Sequence, residues 1–281
     1  MNNSSGPFLR WAGGKRWFVK HIPLFLENIE YDNYHEPFLG GGSIFFSMCP
    51  QNSCLSDLNE ELINSYIQIR DNCESVIESL KCWPVNSDQY YKIRSLNSSD
   101  MIEQAARFIY LNKTSFNGIY RVNRAGHYNV PYGKNDSYRF SFEQLRAASQ
   151  ALQEVSLKVT SFEKTLKDVH GNDLVFLDPP YTVSHNKNGF IEYNKTLFSL
   201  EDQKKLKTYV DAINAKEAYY ILTNAAHESI LDIFEDDTNT CFTFARNCLL
   251  GGRNAKRGLT EEYVFTNIPK KALGALYEQL G

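Results

Sequence analysis

The chain has 281 residues, 42% of them apolar and 14% aromatic, enough to bury a full core in one large domain or in one domain carrying an insertion. A net charge of −3 gives no overall bias toward a polyanion, and no window is apolar over a bilayer-spanning length, so a membrane span is excluded and a cytoplasmic location is expected. The six cysteines form no Cys-x-x-Cys pair and have no histidine at zinc-ligand spacing, which predicts reduced thiols and no metal.

Along the chain, Tyr34 to Phe38 reads as a short strand that runs into Gly40-Gly41-Gly42-Ser43, after which Ile44, Phe45 and Met48 begin a helical pattern. A second strand, Asn52 to Ser56, ends at Asp57. The helix after it places Leu58, Leu62, Tyr66 and Ile69 at helical spacing. Between Cys73 and Gln150 the strand signal disappears, and helices are predicted around Tyr90 to Leu96, Met101 to Asn112 and Phe142 to Leu152. They are interrupted from Phe116 to Gly133 by a segment with turn signals at Asn117-Gly118 and Ala125-Gly126 and alternating Tyr120, Val122, Tyr128 and Val130, read as a basic β-hairpin or long loop. Strand and helix then alternate again: strands Val155 to Thr160, Asp173 to Leu177 and Ala218 to Thr223; helices Leu200 to Asn214, opened by a capping box at Ser199-x-x-Asp202, and Glu228 to Phe234. Strand-like Cys241 to Ala245 and Glu262 to Thr266 flank a basic loop.

The order implies a doubly wound, Rossmann-like α/β fold: a catalytic domain over residues 1–57 and 150–281, with a mostly helical insertion over 58–149. Its charges are segregated. Residues 1–26, 104–135 and 238–260 contain basic side chains and no acid, which favours a surface facing a polyanion.

Asp178-Pro179-Pro180-Tyr181 follows the apolar run Leu174 to Leu177, at a strand's carboxyl end, where open α/β sheets place their chemistry. Each proline fixes its own φ and restrains the residue before it, so the Asp178 carboxylate and the Pro179 carbonyl are held in a preset geometry. Two acceptors beside the flat face of Tyr181 suit a planar substrate with an exocyclic amine. An ordinary strand-to-loop turn is the plainer reading.

Glycine after the first strand and Asp57 after the second follow the logic of an adenosine site, although Asp57 alone would more often be a helix cap than a ligand. The full dinucleotide fingerprint is absent, because Phe45 stands where its third glycine belongs; a P-loop fails as well, because Arg16 follows Gly14-Lys15 where Ser or Thr would hold magnesium.

Three segments in this order, Arg10-Trp11-Ala12-Gly13-Gly14-Lys15, Glu36-Pro37-Phe38-Leu39-Gly40-Gly41-Gly42-Ser43 and Asp178-Pro179-Pro180-Tyr181, resemble the alpha group of S-adenosylmethionine-dependent N6-adenine DNA methyltransferases, the Dam-like enzymes above all. The resemblance runs nearly the whole length. It implies S-adenosylmethionine as cofactor, with Trp11 and Lys15 at its methionine part, Phe38, Gly40 and Gly42 lining its site, Asp57 at its ribose and Phe162 beside its adenine. Asp178, Pro179, Pro180 and Tyr181 would be the catalytic motif. The segment Phe116 to Lys134 resembles the recognition hairpin of GATC methylases, which makes Phe116 a duplex wedge, Arg121 a guanine reader, and Asn117, Ile119, Pro131 and Lys134 further DNA contacts. Many relatives carry arginine where Lys134 stands, and lysine lacks its fork geometry.

Arg246, Arg253, Lys256 and Arg257 are expected to hold DNA phosphates, and Ser184 to Phe190 is either a flap over a flipped base or a solvated loop. Double-stranded DNA is the expected partner; action as a monomer and a companion restriction endonuclease complete the expectations. Methylation of the N4 amine of cytosine or of an RNA base, and a DNA-binding protein without catalysis, are the alternatives. Asp178 and the hairpin favour adenine in DNA.

Overall fold

In the computed structural model the described residues are 6–123, 125–181, 198–247 and 259–280. The strands are β1 (Tyr34–Glu36), β2 (Ser53–Asp57), β3 (Ser156–Val159), β4 (Leu174–Leu177), β5 (Tyr219–Ala225), β6 (Thr240–Asn247) and β7 (Leu259–Thr266). The helices are α1 (Ile22–Leu26), α2 (Ser43–Met48), α3 (Glu60–Asp71), α4 (Cys73–Lys81), α5 (Ser87–Ser95), α6 (Met101–Thr114), α7 (Phe142–Ala151), α8 (Phe162–Thr165), α9 (Leu200–Ala215), α10 (Glu228–Phe234) and α11 (Gly274–Leu280).

The sheet order is β3-β2-β1-β4-β5-β7-β6. The pairs β2/β3, β1/β4 and β4/β5 are parallel, whereas β7 runs antiparallel to both β5 and β6. This mostly parallel seven-stranded sheet is the Rossmann-like α/β architecture expected from the sequence. Among the described residues no helix is long and apolar enough to cross a membrane.

The chain divides into two compact units. The first covers residues 1–19 and 39–159 and is mostly helical around the β2/β3 pair. Helix α3 starts where it does because the Asn59 side chain accepts the Leu62 N–H at 3.0 Å and Glu60 and Glu61 fill the first turn, complementing the helix dipole. It buries Leu62, Ile63, Tyr66 and Ile69 and packs against α6, whose Asp100 cap accepts from Ile102 and Glu103. Helix α4 packs on α6 through Val76, Ile77 and Leu80. It is absent from the sequence reading because nine residues with three apolar positions make too short a run for periodicity to stand out.

The second unit covers residues 20–38 and 160–281. Strand β4 lies between β1 and β5, with Leu174 to Leu177 all buried, which is why it reads as one unbroken apolar run. Leu206, Val210 and Ile213 of α9 and Ile230 and Phe234 of α10 join the same core. The capping box is present: Ser199 accepts from the Asp202 N–H, and Asp202 accepts from the Ser199 N–H at 2.9 Å.

At the amino end of β4, the fully buried Asp173 carboxylate gathers the foot of the sheet. Its Oδ1 accepts from the Asn33 backbone and side chain, and its Oδ2 accepts the His170 N–H and lies 2.9 Å from His35 Nε2. Burial holds the His35 imidazole below its ordinary value; the Asp173 hydrogen bond and charge, with Asp168, oppose that shift, and His170 reinforces it. In the unfolded chain His35 therefore takes up a proton that the folded chain refuses, so its contribution to stability is full above the ordinary histidine value and declines as pH falls below it. Urea midpoints measured from pH 7.5 down to 5 should fall in the native chain and fall less in His35→Gln. Equal slopes in the two would contradict this role.

Candidate active site

Strands β1 and β4, both of the second unit, pair at the point where the seven-stranded order reverses, and chain crossovers leave to opposite sides at such a point, opening the strands' carboxyl ends to ligands. Phe38 follows β1 there and Asp178 follows β4. The Thr223 hydroxyl, on the adjacent β5 and fully buried, donates to Asp178 Oδ1 at 3.0 Å. It lies one residue beyond the Leu177–Leu222 register pair, so the β4/β5 pairing itself sets the carboxylate's orientation. Tyr181 donates its hydroxyl to Oε2 of the buried Glu262 at 2.5 Å. That bond ties the end of the Asp-Pro-Pro-Tyr turn to β7. Beside Thr223, the buried Asn224 side chain donates to Gln203 Oε1 of α9 at 3.0 Å, stiffening the same end of β5.

Sequence reasoning missed Thr223, Asn224 and Glu262. A signal existed: two polar residues, Thr223 and Asn224, end an otherwise apolar buried strand, and such groups need partners.

Phe38 and Phe162 pack with ring centroids 5.2 Å apart at 31°, with Phe198 and Tyr209 around them. Phe162, only 6% exposed, also belongs to the hydrophobic core, so the pair is an apolar platform supported from behind.

The first unit holds the other predicted cofactor residues. Asn112 of α6 clamps the Arg10 backbone, accepting its N–H at 2.8 Å and donating to its carbonyl at 2.7 Å. This fixes the adjoining Trp11, whose indole covers the glycine turn. A Cβ on Gly40 would stand 2.7 Å from Trp11 Cδ1, and one on Gly41 would stand 2.9 Å from Trp11 Cβ. The turn thus needs glycine first of all for packing within the chain. Gly42, at φ +64°, begins α2 in the left-handed region, and Tyr66 donates to the Gly40 carbonyl at 3.0 Å.

Asp57 does not cap α3; Asn59 does. Asp57 Oδ2 accepts the Gly40 N–H and Oδ1 the Asn59 N–H, both at 3.0 Å, so it ties the glycine turn to the end of β2. Burial pushes its carboxyl above the ordinary value, while hydrogen bonds from Asn59, Gly40 and Leu58 pull it back. Lys15 is 3% exposed and donates to the Gly13 carbonyl at 2.9 Å. In the first unit Lys15 is a buried ammonium and Asp57 a half-buried carboxylate that already holds the glycine turn, groups of the kind that meet a carboxylate and ribose hydroxyls; in the second unit the Phe38–Phe162 pair offers a flat apolar face of the kind on which an adenine stacks.

The expected DNA-reading segment is a thin hairpin. Ser115 bridges Tyr132 and Val122 bridges Tyr128, with Asn123 and Arg121 bonding across to His127 and Asn129. Phe116 is 53% exposed, a large apolar ring offered to solvent. Asn117 and Lys134 sit in the left-handed region at φ 57° and 56°; Asn117, Pro131 and Lys134 are exposed and Ile119 half-buried. Arg121 is exposed, with Nε donating to Asn129 Oδ1 at 2.8 Å. Burial, reinforced by Arg10 and Arg16, lowers Lys113 to about 8. Arg107 lies in an acid-free block but pairs with Glu61 from outside it, so it serves the fold rather than a polyanion. Arg253, Lys256, Arg257 and the flap expected over Ser184 to Phe190 lie outside the described residues; Arg246 lies on β6, and its side chain is likewise outside them.

Comparison with known proteins gives one family match, over residues 11–245, to the D12 class N6 adenine-specific DNA methyltransferases. The chain is 34% identical over 274 residues to the Type II methyltransferase M1.LlaDCHI of Lactococcus lactis subsp. cremoris, covering 93% of this chain and 95% of that protein. It is 33% identical to the Type II methyltransferase M.MjaIII of Methanocaldococcus jannaschii, over 78% of this chain and 84% of that one. With a DNA adenine methylase of Haemophilus influenzae it shares 30% identity, over 77% and 78% of the two chains.

Proposed function

We propose, from the premise that the chain belongs to the D12 class N6 adenine-specific DNA methyltransferase family, that it methylates adenine in GATC by flipping the base out of the duplex and transferring the methyl group directly in line. Adenine-specific DNA methylation is the activity of its family and relatives. The site sequence, the route and the residue roles are our reading. The observation that carries the route is the Asp178 carboxylate, pinned by Thr223 at the carboxyl end of β4 and followed by two prolines.

Family membership implies S-adenosylmethionine as methyl donor; when bound, it supplies a methyl group already activated on a sulfonium. Lys15 would meet its carboxylate, Asp57 its ribose hydroxyls, and Phe38 and Phe162 its adenine, with Trp11, Gly40 and Gly42 completing the site. The chain's own task is then the target base. Adenine N6 is a poor nucleophile because its lone pair is delocalised into the ring. Asp178 and the Pro179 carbonyl would accept its two N–H bonds, drawing N6 toward tetrahedral geometry and freeing the lone pair, an interaction stronger in the transition state than in the ground state. Asp178 would also be the acceptor for the proton that N6 must lose. Extrusion of the base costs a few kcal/mol, and stacking on Tyr181, steadied by Glu262, offsets about 1–3 kcal/mol of it.

On the duplex side, Phe116 is the wedge, Arg121 reads guanine, and Asn117, Ile119, Pro131 and Lys134 add contacts; Arg246, Arg253, Lys256 and Arg257 bind phosphates. The Type II names of two relatives support a companion restriction endonuclease.

The test uses a donor labelled in its methyl group, with nucleoside analysis of the products. A GATC duplex should yield labelled N6-methyladenine roughly tenfold or more above a duplex with the site scrambled, because one good bidentate base contact is worth about 1–3 kcal/mol. Equal labelling of both duplexes would overturn GATC, and label in N4-methylcytosine would overturn the amine assignment.

A further inference from the structure

We propose that Tyr120 is a positioning residue through which methyl-donor binding and duplex binding strengthen each other. This rests on the reading that Trp11 belongs to the donor site and that Phe116 to Lys134 faces DNA. Tyr120 lies in the hairpin immediately before Arg121, and its ring stacks on the Trp11 indole with centroids 5.6 Å apart at 21°. Phe108 of α6 closes on it at 5.3 Å and Tyr128, across the hairpin, at 5.8 Å. Its hydroxyl donates to Glu61 Oε2 at 2.9 Å. Arg107 holds the other oxygen of Glu61 at 3.1 Å and also donates to the Ile93 and Arg94 carbonyls at the end of α5.

The ring is therefore gripped at both ends. One grip is the indole that packs over Gly40 and Gly41. The other is a carboxylate fixed to two helices by Arg107. A donor that settles Trp11 against the glycine turn settles the plane on which Tyr120 stacks, and Tyr120 carries the backbone of Arg121, whose guanidinium is exposed. In reverse, a duplex that fixes Arg121 holds Tyr120 and hence Trp11. Linkage makes the two effects equal in size.

The experiment measures the dissociation constant of S-adenosylhomocysteine, which cannot transfer a methyl group, for the full chain with and without saturating GATC duplex. In the native chain the duplex should tighten binding by about tenfold, a size usual for coupled sites. Tyr120→Ala should bring the ratio near one. Tyr120→Phe, which keeps the stack and removes only the bond to Glu61, should lower it by roughly twofold to tenfold, the worth of one hydrogen bond, and keeps the test open should the alanine variant not fold. Ile77→Val, a remote core change in α4, should keep the native ratio, so that simple loss of stability is told apart from loss of coupling. A native ratio of one, or a native ratio persisting in both Tyr120 variants, would overturn the coupling. If the native chain binds S-adenosylhomocysteine no better than Trp11→Ala does, the donor-site reading falls, and the coupling falls with it.

Discussion

Asp178→Ala should lower methyl transfer by roughly 10²- to 10³-fold or more, the usual size for removing a preorganised electrostatic partner of a transition state, while duplex affinity stays nearly unchanged. The expectation of intact folding has a structural basis. Thr223, which donates to Asp178 at 3.0 Å, also has the Leu177 carbonyl at 3.4 Å, so its hydroxyl retains an acceptor when the carboxylate is gone. Thr223→Val supplies the graded companion. It leaves Asp178 in place and removes its orienting bond, so the loss should be roughly twofold to tenfold, appearing in kcat more than in KM. Single-turnover transfer and duplex binding by anisotropy, measured on both variants, separate chemistry from recognition. If Asp178→Ala lost DNA affinity and transfer together, Asp178 would be a structural residue.

Gly40→Ala should destabilise the chain by about 2–5 kcal/mol. Two costs add: about 1–2 kcal/mol for an L side chain in the left-handed region and about 1–3 kcal/mol for overpacking a filled site. Both have a source in the geometry, since Gly40 sits at φ +48° and its added Cβ would lie 2.7 Å from Trp11 Cδ1 and 2.9 Å from Nε1. The overpacking term has one origin, so it should vanish when the indole is removed. In a Trp11→Ala background, Gly40→Ala should cost only the conformational part, about 1–2 kcal/mol. Urea midpoints at constant m measure both arms of this cycle. An equal cost in the two backgrounds would show that the glycine turn does not depend on Trp11.

This packing also shows what a sequence conceals. The glycines read as a place where a ligand could approach the backbone closely; the sequence could not say that Trp11, some thirty residues earlier, packs against the same turn. Asp57 stood out as an acid after a strand, yet its bonds to Gly40 and Asn59 depend on how β2 meets the turn. The βα alternation was readable because central parallel strands such as Leu174 to Leu177 are apolar throughout, and the α9 capping box announced its own start. Helix α4 escaped because its three buried side chains span little more than one turn. Thr223, Asn224, Glu262 and Asn112 escaped for another reason. They act by supporting residues far away in sequence, at separations of 45, 21, 81 and 102 positions, and no local pattern encodes such a partner.

Catalysis in this proposal needs one grip, the Asp178 carboxylate and the Pro179 carbonyl on the two hydrogens of a single extruded adenine. The most direct measurement is an experimental structure of the chain bound to S-adenosylhomocysteine and a GATC duplex. Adenine N6 should lie within hydrogen-bonding distance, about 2.7–3.2 Å, of both acceptors, with Tyr181 against the base. An adenine still stacked in the helix, or a flipped base whose N6 points away from Asp178, would contradict it.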